Sequence, residues 1–316
     1  MIKIGLLEFG LRDPDAPPAE ILEDVMAYAV RADKLGFSRL WLTEHHRLSP
    51  AWNTPEIILP IIAGLTSNIK VGIGGVLLTI HSPYRIALTY KLLNTLFPGR
   101  IDLGLANGKP KYPVAKLMLS NKHVSEDFRM EFDERLEELT KLLRIDGLYQ
   151  HDMVMVTPYP ADIPEIWNLR SSADSLDISL RLKLHSSLSL FHKEFDIHQE
   201  KDKIAAFRDA YFSRYDEQPV INFSFSGVCL KSSQKAEKLY TEMGYKYDEY
   251  PFNCLVGSPS LYQDKLLYMK EDLGIDEFLF NDLCRDNKER LNTLHLLSRT
   301  FELQPQKKSM LVLNNQ

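Results

Sequence analysis

The feature that most constrains this chain is a rhythm in its first third. Short apolar runs, "IKIGLLEF" (2–9), "RLWLTE" (39–44), "IKVGIGGVLL" (69–78) and "RIDLGLANG" (100–108), recur about every 30–37 residues. Each is too short for a helix that buries a full face, and each is apolar on both faces, as a parallel strand covered by helices must be. Between them lie segments of helical period. "PAEILEDVMAYAVRADKLGF" (18–37) is amphipathic and closed by Gly36. "TPEIILPIIAGLT" (54–66) has Thr54 at its N-cap position and Pro55 at the first turn, and a third helix spans 83–97.

The rhythm slows from 109 to 164, where the pattern predicts a polar loop, a long charged helix over 125–144 and a hairpin around "HDMVMVTPYP" (151–160). It then resumes with strands at 165–169, 185–191, 219–230 and 277–281. Helices over 199–214, 232–243, 258–273 and 287–301 separate or follow them. Eight strands in one βα series, with no Pro/Gly/Ser-rich linker and no short repeat, predict an α/β fold: a single (β/α)8 TIM barrel over 1–316 with an insertion after strand 4. The length of 316 residues suits one such barrel, although it would also accommodate two domains. A doubly wound open sheet would call for a Gly-rich dinucleotide turn after strand 1, and there is none.

A formal charge of -5 disfavours nucleic acid or an anionic membrane as the main partner. Cys229, Cys254 and Cys284 stand far apart with no C-x-x-C pair, which fits a reducing compartment and fits neither a zinc knuckle nor a redox motif. No basic segment followed by a long apolar run precedes the first strand, so a cytoplasmic enzyme or binding protein is expected.

Chemistry concentrates in "WLTEHHRLSPAW" (41–52), where the second strand ends in Glu44, His45 and His46. The carboxyl ends of barrel strands are where active sites gather. Side chains of adjacent strand residues point to opposite faces, so His45 and His46 are poorly disposed to chelate one ion, and no metal is expected. A bland reading, in which these residues only cap the strand and bind loops, stands beside the functional one.

"GFSRLWLTEHH" (36–46) followed by "IKVGIGGVLLTIHSPYRIALTYKLLNTLFPGRIDLGLANG" (69–108) resembles the bacterial luciferase-like flavin monooxygenases. Weaker similarity runs through "DERLEEL" (133–139), "EIWNLRSSADS" (165–175) and "LVGSP" (255–259). The resemblance implies a (β/α)8 barrel that binds reduced FMN, or in some branches a reduced deazaflavin. It implies a two-component monooxygenase in which a separate flavin reductase supplies the cofactor, oxygen adds to form a flavin peroxide, and a small organic molecule is oxidised.

Carried over by resemblance, His45 is the catalytic base near the reactive edge of the flavin, and Glu44 orients it or touches the ring. His46 is structural. Gly74 and Gly75 make a cis peptide beneath the isoalloxazine. Ala106 replaces the reactive cysteine of light-emitting luciferase, and Asn107 replaces its phosphate-binding arginine. Ser171, Ser172 and Ser175 take the phosphate at the opening of a helix after strand 5, and Arg170 restores the missing charge. Leu190 stands where luciferase has a tryptophan, which predicts an aliphatic wall. Leu42, Val76, Leu105 and Ala106 are expected to keep the cavity dry, and Phe9 either packs on the ring or belongs to the core. The apolar segments 55–66 and 86–97 suggest a homodimer. Three rivals remain at this point: a non-catalytic flavin-binding paralogue, a deazaflavin-dependent hydride-transfer enzyme, and a metal-assisted hydrolase.

Overall fold

The apolar runs that set the rhythm become parallel strands. A computed structural model describes residues 1–10, 16–46, 51–108, 114, 118–119, 128–192, 196–244 and 254–305. The strands are β1 (Lys3–Glu8), β2 (Arg39–Leu42), β3 (Lys70–Leu77), β4 (Ile101–Ala106), β5 (Glu165–Arg170), β6 (His185–Ser189), β7 (Ile221–Cys229), β8 (Leu255–Gly257) and β9 (Glu277–Asp282). They pair in the order β6-β5-β4-β3-β2-β1-β9-β7, and β6 also pairs with β7, which closes an eight-stranded parallel barrel. Going round this ring, β7 lies opposite β3 and β6 lies opposite β2. Short β8 is not a barrel stave; it pairs with the outer end of β7 at Gly227–Cys229.

The covering helices among the described residues are α1 (Pro18–Lys34), α2 (Pro55–Leu65), α3 (Pro83–Leu96), α4 (Phe128–Arg144), α5 (Asp177–Leu182), α6 (Ile197–Tyr215), α7 (Ser233–Glu242), α8 (Pro259–Leu273) and α9 (Asn287–Thr300). Their starts carry the expected chemistry. Proline opens α1, α2, α3 and α8, and Ser82 and Ser258 accept the amides of Arg85 and Leu261. Thr54 sits at the N-cap of α2, but its side chain makes no capping bond.

Two differences from the sequence expectation stand out. No hairpin forms at 151–160; a 3-10 turn at Gln150–Asp152 leads into irregular chain. Pro158 and Pro160 lack the N–H groups a ladder requires, which explains the loss. The ninth strand, β8, was not expected, since three residues carry too little periodicity to be seen. The polar loop that begins at 109 and the first residues of the helix expected from 125 fall outside the described residues in large part.

Side-chain alternation divides the core in two. Leu40, Leu42, Val76, Leu103 and Leu105 face the helices, in the larger cluster. Leu7, Phe9, Trp41, Trp167, Phe191 and Leu279 face inward. The amino-terminal end of the barrel interior is polar. Arg39 donates to Asp102 (2.6 Å) and Glu277 (2.9 Å) and lies over the rings of Trp167 (4.5 Å) and Trp41 (5.6 Å). Burial works against the guanidinium charge, but these carboxylates hold it protonated, with its pKa above the usual value. Trp41 Nε1 donates to the same Asp102 carboxylate (2.8 Å), which ties this polar layer to the floor of the cavity above.

Candidate active site

At the carboxyl ends of the strands the barrel opens into a cavity of about 970 Å³. All ten residues given a catalytic or flavin-binding role by the resemblance line it: Glu44, His45, Gly74, Gly75, Ala106, Asn107, Arg170, Ser171, Ser172 and Ser175. They come from the ends of β2, β3, β4 and β5, brought together only by barrel closure.

The Gly74–Gly75 peptide is cis, and the β3–β4 register shifts at this point, with Ile73 opposite Leu103 and Val76 opposite Leu105. A Cβ on Gly74 would lie 2.5 Å from Trp41 Cε3, and one on Gly75 would meet Ala106 at 3.0–3.1 Å. Trp41 therefore presses on this segment from behind, and only glycine keeps the surface flat.

Glu44 is 4% exposed, and its hydrogen bonds run to its own loop and to the end of β3. One carboxylate oxygen accepts from His46 Nε2 (2.8 Å) and His81 Nε2 (2.7 Å), and the other accepts the Leu77 amide (2.9 Å). Burial alone would raise the Glu44 pKa, but the two histidines and the amide outweigh it and bring the group down to about 2. His81 is driven down by burial and up by Glu44 and Glu56, with a net rise. Glu44 thus fastens the β2 loop to the end of β3. His45 is left facing the cavity, stacked on Phe9 (centroids 5.1 Å apart, 17° between planes). His81 was missed as a site residue although it begins the quoted "HSPYRIA"; the motif marked it, and only the fold shows its partner.

The β4–β5 side carries the charge. Arg170 pairs with Asp133 (3.3 Å) and lies over Phe132 (4.9 Å). Ser172 Oγ donates to Asp174 (3.1 Å), and Lys203 bridges Asp174 (2.5 Å) and Glu200 (3.3 Å). The expected helix opening is a 3-10 turn at Ala173–Ser175 followed by the six residues of α5, and Glu200 takes the Ala173 N–H. The helix here is thus shorter than expected, and one of its opening amides is already taken by a carboxylate. Asn107 Oδ1 is buried without a hydrogen-bond partner beside this region.

Two further expectations are corrected by alternation. Leu190 points into the barrel–helix core, and its neighbours Ser189, Phe191 and His192 line the cavity, so that wall is aromatic and polar rather than aliphatic. Of Leu42, Val76, Leu105 and Ala106, only Ala106 reaches the cavity; Phe9, Leu7, Phe191 and Leu279 supply its apolar surface.

A cavity of this size at the carboxyl face of a closed parallel barrel defines a barrel enzyme. More narrowly, the chain belongs to the luciferase-like monooxygenases, whose family model matches residues 3–264, and it is an oxidoreductase of that family. Among curated proteins it is 26% identical to the N-acetyl-S-alkylcysteine monooxygenase of Bacillus subtilis (strain 168), over 94% of this chain and 98% of that one. It is 31% identical to the Bacillus subtilis protein YwcH over 182 residues, 55% of this chain and about half (53%) of that relative's length. Among solved structures, apo-MsnO8 superposes with a TM-score of 0.81 at 28% identity, covering 97% of this chain and 100% of that one. The oxygenating constituent of 3,6-diketocamphane monooxygenase from Pseudomonas putida, solved with FMN, gives 0.74 at 18% identity, covering 97% and 99%.

Proposed function

We propose that the protein is a two-component flavin-dependent monooxygenase: it takes reduced FMN from a separate flavin reductase and uses it with oxygen to oxidise a small organic metabolite. The observation that carries this reading is the convergence of Glu44, His45, Gly74, Gly75, Asn107 and Arg170 on one cavity large enough for a flavin and a small substrate together. Bound reduced FMN would supply the electrons for oxygen activation, chemistry the protein side chains cannot supply.

The residues fit such a group. Gly74 and Gly75 offer a flat, side-chain-free surface to a ring, backed by Trp41. Asn107, with an unpartnered buried oxygen, lies between that surface and the charged end, where it would bond a polyol chain. Arg170 would turn from Asp133 to a phosphate, joined by the hydroxyls of Ser171, Ser172 and Ser175. His45, held against Phe9, would take and return a proton at the substrate side of the ring; a placed base of this kind contributes about 10²–10⁴-fold. Leu7, Phe9, Phe191 and Leu279 would exclude water from the reacting centre.

The reading extends to the whole chain, 1–316, acting as one cytoplasmic barrel domain. It extends also to a homodimer. Ile57, Ile61 and Leu65 form an exposed apolar line on α2, and Leu92 and Leu96 are exposed on α3. Five large apolar side chains left in water on consecutive helices favour burial against a second copy.

Anaerobic titration with reduced FMN and with a reduced deazaflavin tests the cofactor. Reduced FMN is expected to bind at least tenfold more tightly. Tighter binding of the deazaflavin would replace the monooxygenase reading with hydride transfer.

A further inference from the structure

Ser187, Ser189 and Ser224 project into the cavity from β6 and β7, with Ser189 and Ser224 side by side in register. The three residues are 2%, 8% and 5% exposed. Ser189 Oγ contacts His192 Nδ1 at the rim. Ser187 and Ser224 make no side-chain hydrogen bond among the described residues, so these two buried hydroxyls open only to the cavity. Polar groups of this kind call for a partner that arrives with a ligand.

The topology says which ligand. β7 lies opposite β3 across the barrel, and β6 lies opposite β2. A flat ring resting one face on Gly74–Gly75 of β3 therefore turns its other face towards Ser224 and Ser187, with His45 of the β2 end at the side. Whatever reacts at the open face must lie between the ring and this serine wall. Phe9 and Phe191, in edge contact with centroids 6.0 Å apart, flank the space and would cover an apolar portion. The charged cavity residues Glu44, Asp133, Arg170, Asp174 and Asp177 belong to the ends of β2 and β5, to α4, to α5 or to the 3-10 turn before α5. Among the described residues, the β6–β7–β9–β1 wall presents hydroxyls, apolar groups and the rim imidazole, with no carboxylate, lysine or arginine.

We propose that Ser187, Ser189 and Ser224, with His192 at the rim, form the subsite that selects the substrate, and that it takes an uncharged small molecule carrying one hydrogen-bonding oxygen or amide beside an apolar group. Anions are rejected because, among the described residues, the wall has no cation to replace their water. Purely apolar molecules are rejected because they leave the buried hydroxyls without partners. The assignment rests on the flavin reading, since the platform on β3 decides which wall faces the reacting molecule.

Three probes of one shape separate the classes: benzamide, benzoate and toluene, titrated into the protein with and without bound FMN. Benzamide is expected to bind at least tenfold more tightly than either of the others. Ser187→Ala/Ser224→Ala is expected to remove that preference while changing the FMN dissociation constant less than twofold. Equal binding of the three probes, or none, overturns the subsite. A double variant that loses FMN as strongly as benzamide also overturns it, because the wall would then hold the flavin. If FMN fails to bind but the probes are still discriminated in wild type and not in the variant, the subsite stands and the flavin reading falls.

Discussion

Glu44 shows how much one side chain decides here. Its pKa falls from 4.5 to about 2 on folding, so it stabilises the native state fully above about pH 4.5, and that contribution is lost as pH falls through about 2. A shift of that size corresponds to about 3–4 kcal/mol, by the roughly 1.4 kcal/mol per pKa unit of linkage. Glu44→Gln is therefore expected to lower the unfolding free energy at pH 7 by about 2–4 kcal/mol in urea titrations, with the gap from wild type closing towards pH 2. His81 has the opposite sign. Its raised pKa gives stability that is full below about 6.5 and lost as pH rises through the folded value, so His81→Gln should flatten the stability profile above pH 6.5. A His81→Gln profile parallel to wild type would show that the Glu44 contact carries no charge.

Arg170 is the other deciding residue. If it supplies the charge that Asn107 does not, Arg170→Ala should weaken FMN about 10- to 100-fold, the worth of a charge-assisted bond, and leave riboflavin unchanged. Asp133→Asn should tighten FMN by freeing the guanidinium. Equal losses for FMN and riboflavin would remove Arg170 from the phosphate site.

At the level of elements, the exposed apolar residues of α2 and α3 carry their own test. Ile61→Glu/Leu65→Glu replaces two half-exposed apolar groups without touching the barrel core, and is expected to convert a dimer to a monomer in light scattering. A wild-type protein that is monomeric at tens of micromolar would end the dimer reading. The helices and staves were readable in advance because burial on one face (helices) or both faces (strands) writes a period into the sequence. α3, for example, was expected over 83–97 and runs over Pro83–Leu96. The segment 151–160 was misread because "MVMV" suggests a strand, and the prolines that follow it forbid pairing. The cavity face of each strand was legible only in part. Leu42 and Leu190 look like pocket residues until the register shows that their neighbours face inward.

For the whole molecule, closure of the ring is what the sequence could not state. β6 must pair with β7, and β1 with β9, before Gly74, Arg170 and Ser224 share a cavity. The motif in the first 110 residues marked Glu44, His45, Gly74 and Gly75 by resemblance. The serine wall was invisible because single serines at alternate positions in a strand carry no motif. The Arg39–Asp102–Trp41 chain beneath the glycines was equally hidden, since it links β2 to β4 by distance alone. On the proposed function, this arrangement governs the reaction of reduced flavin with oxygen. The most direct measurement is anaerobic mixing of the protein with reduced FMN, followed by rapid mixing with oxygen while flavin absorbance is recorded. Re-oxidation is expected in a protein-bound phase at least tenfold slower than for free flavin, with a shorter phase in His45→Ala. Re-oxidation at the free-flavin rate, unchanged by His45→Ala, would contradict the proposed function.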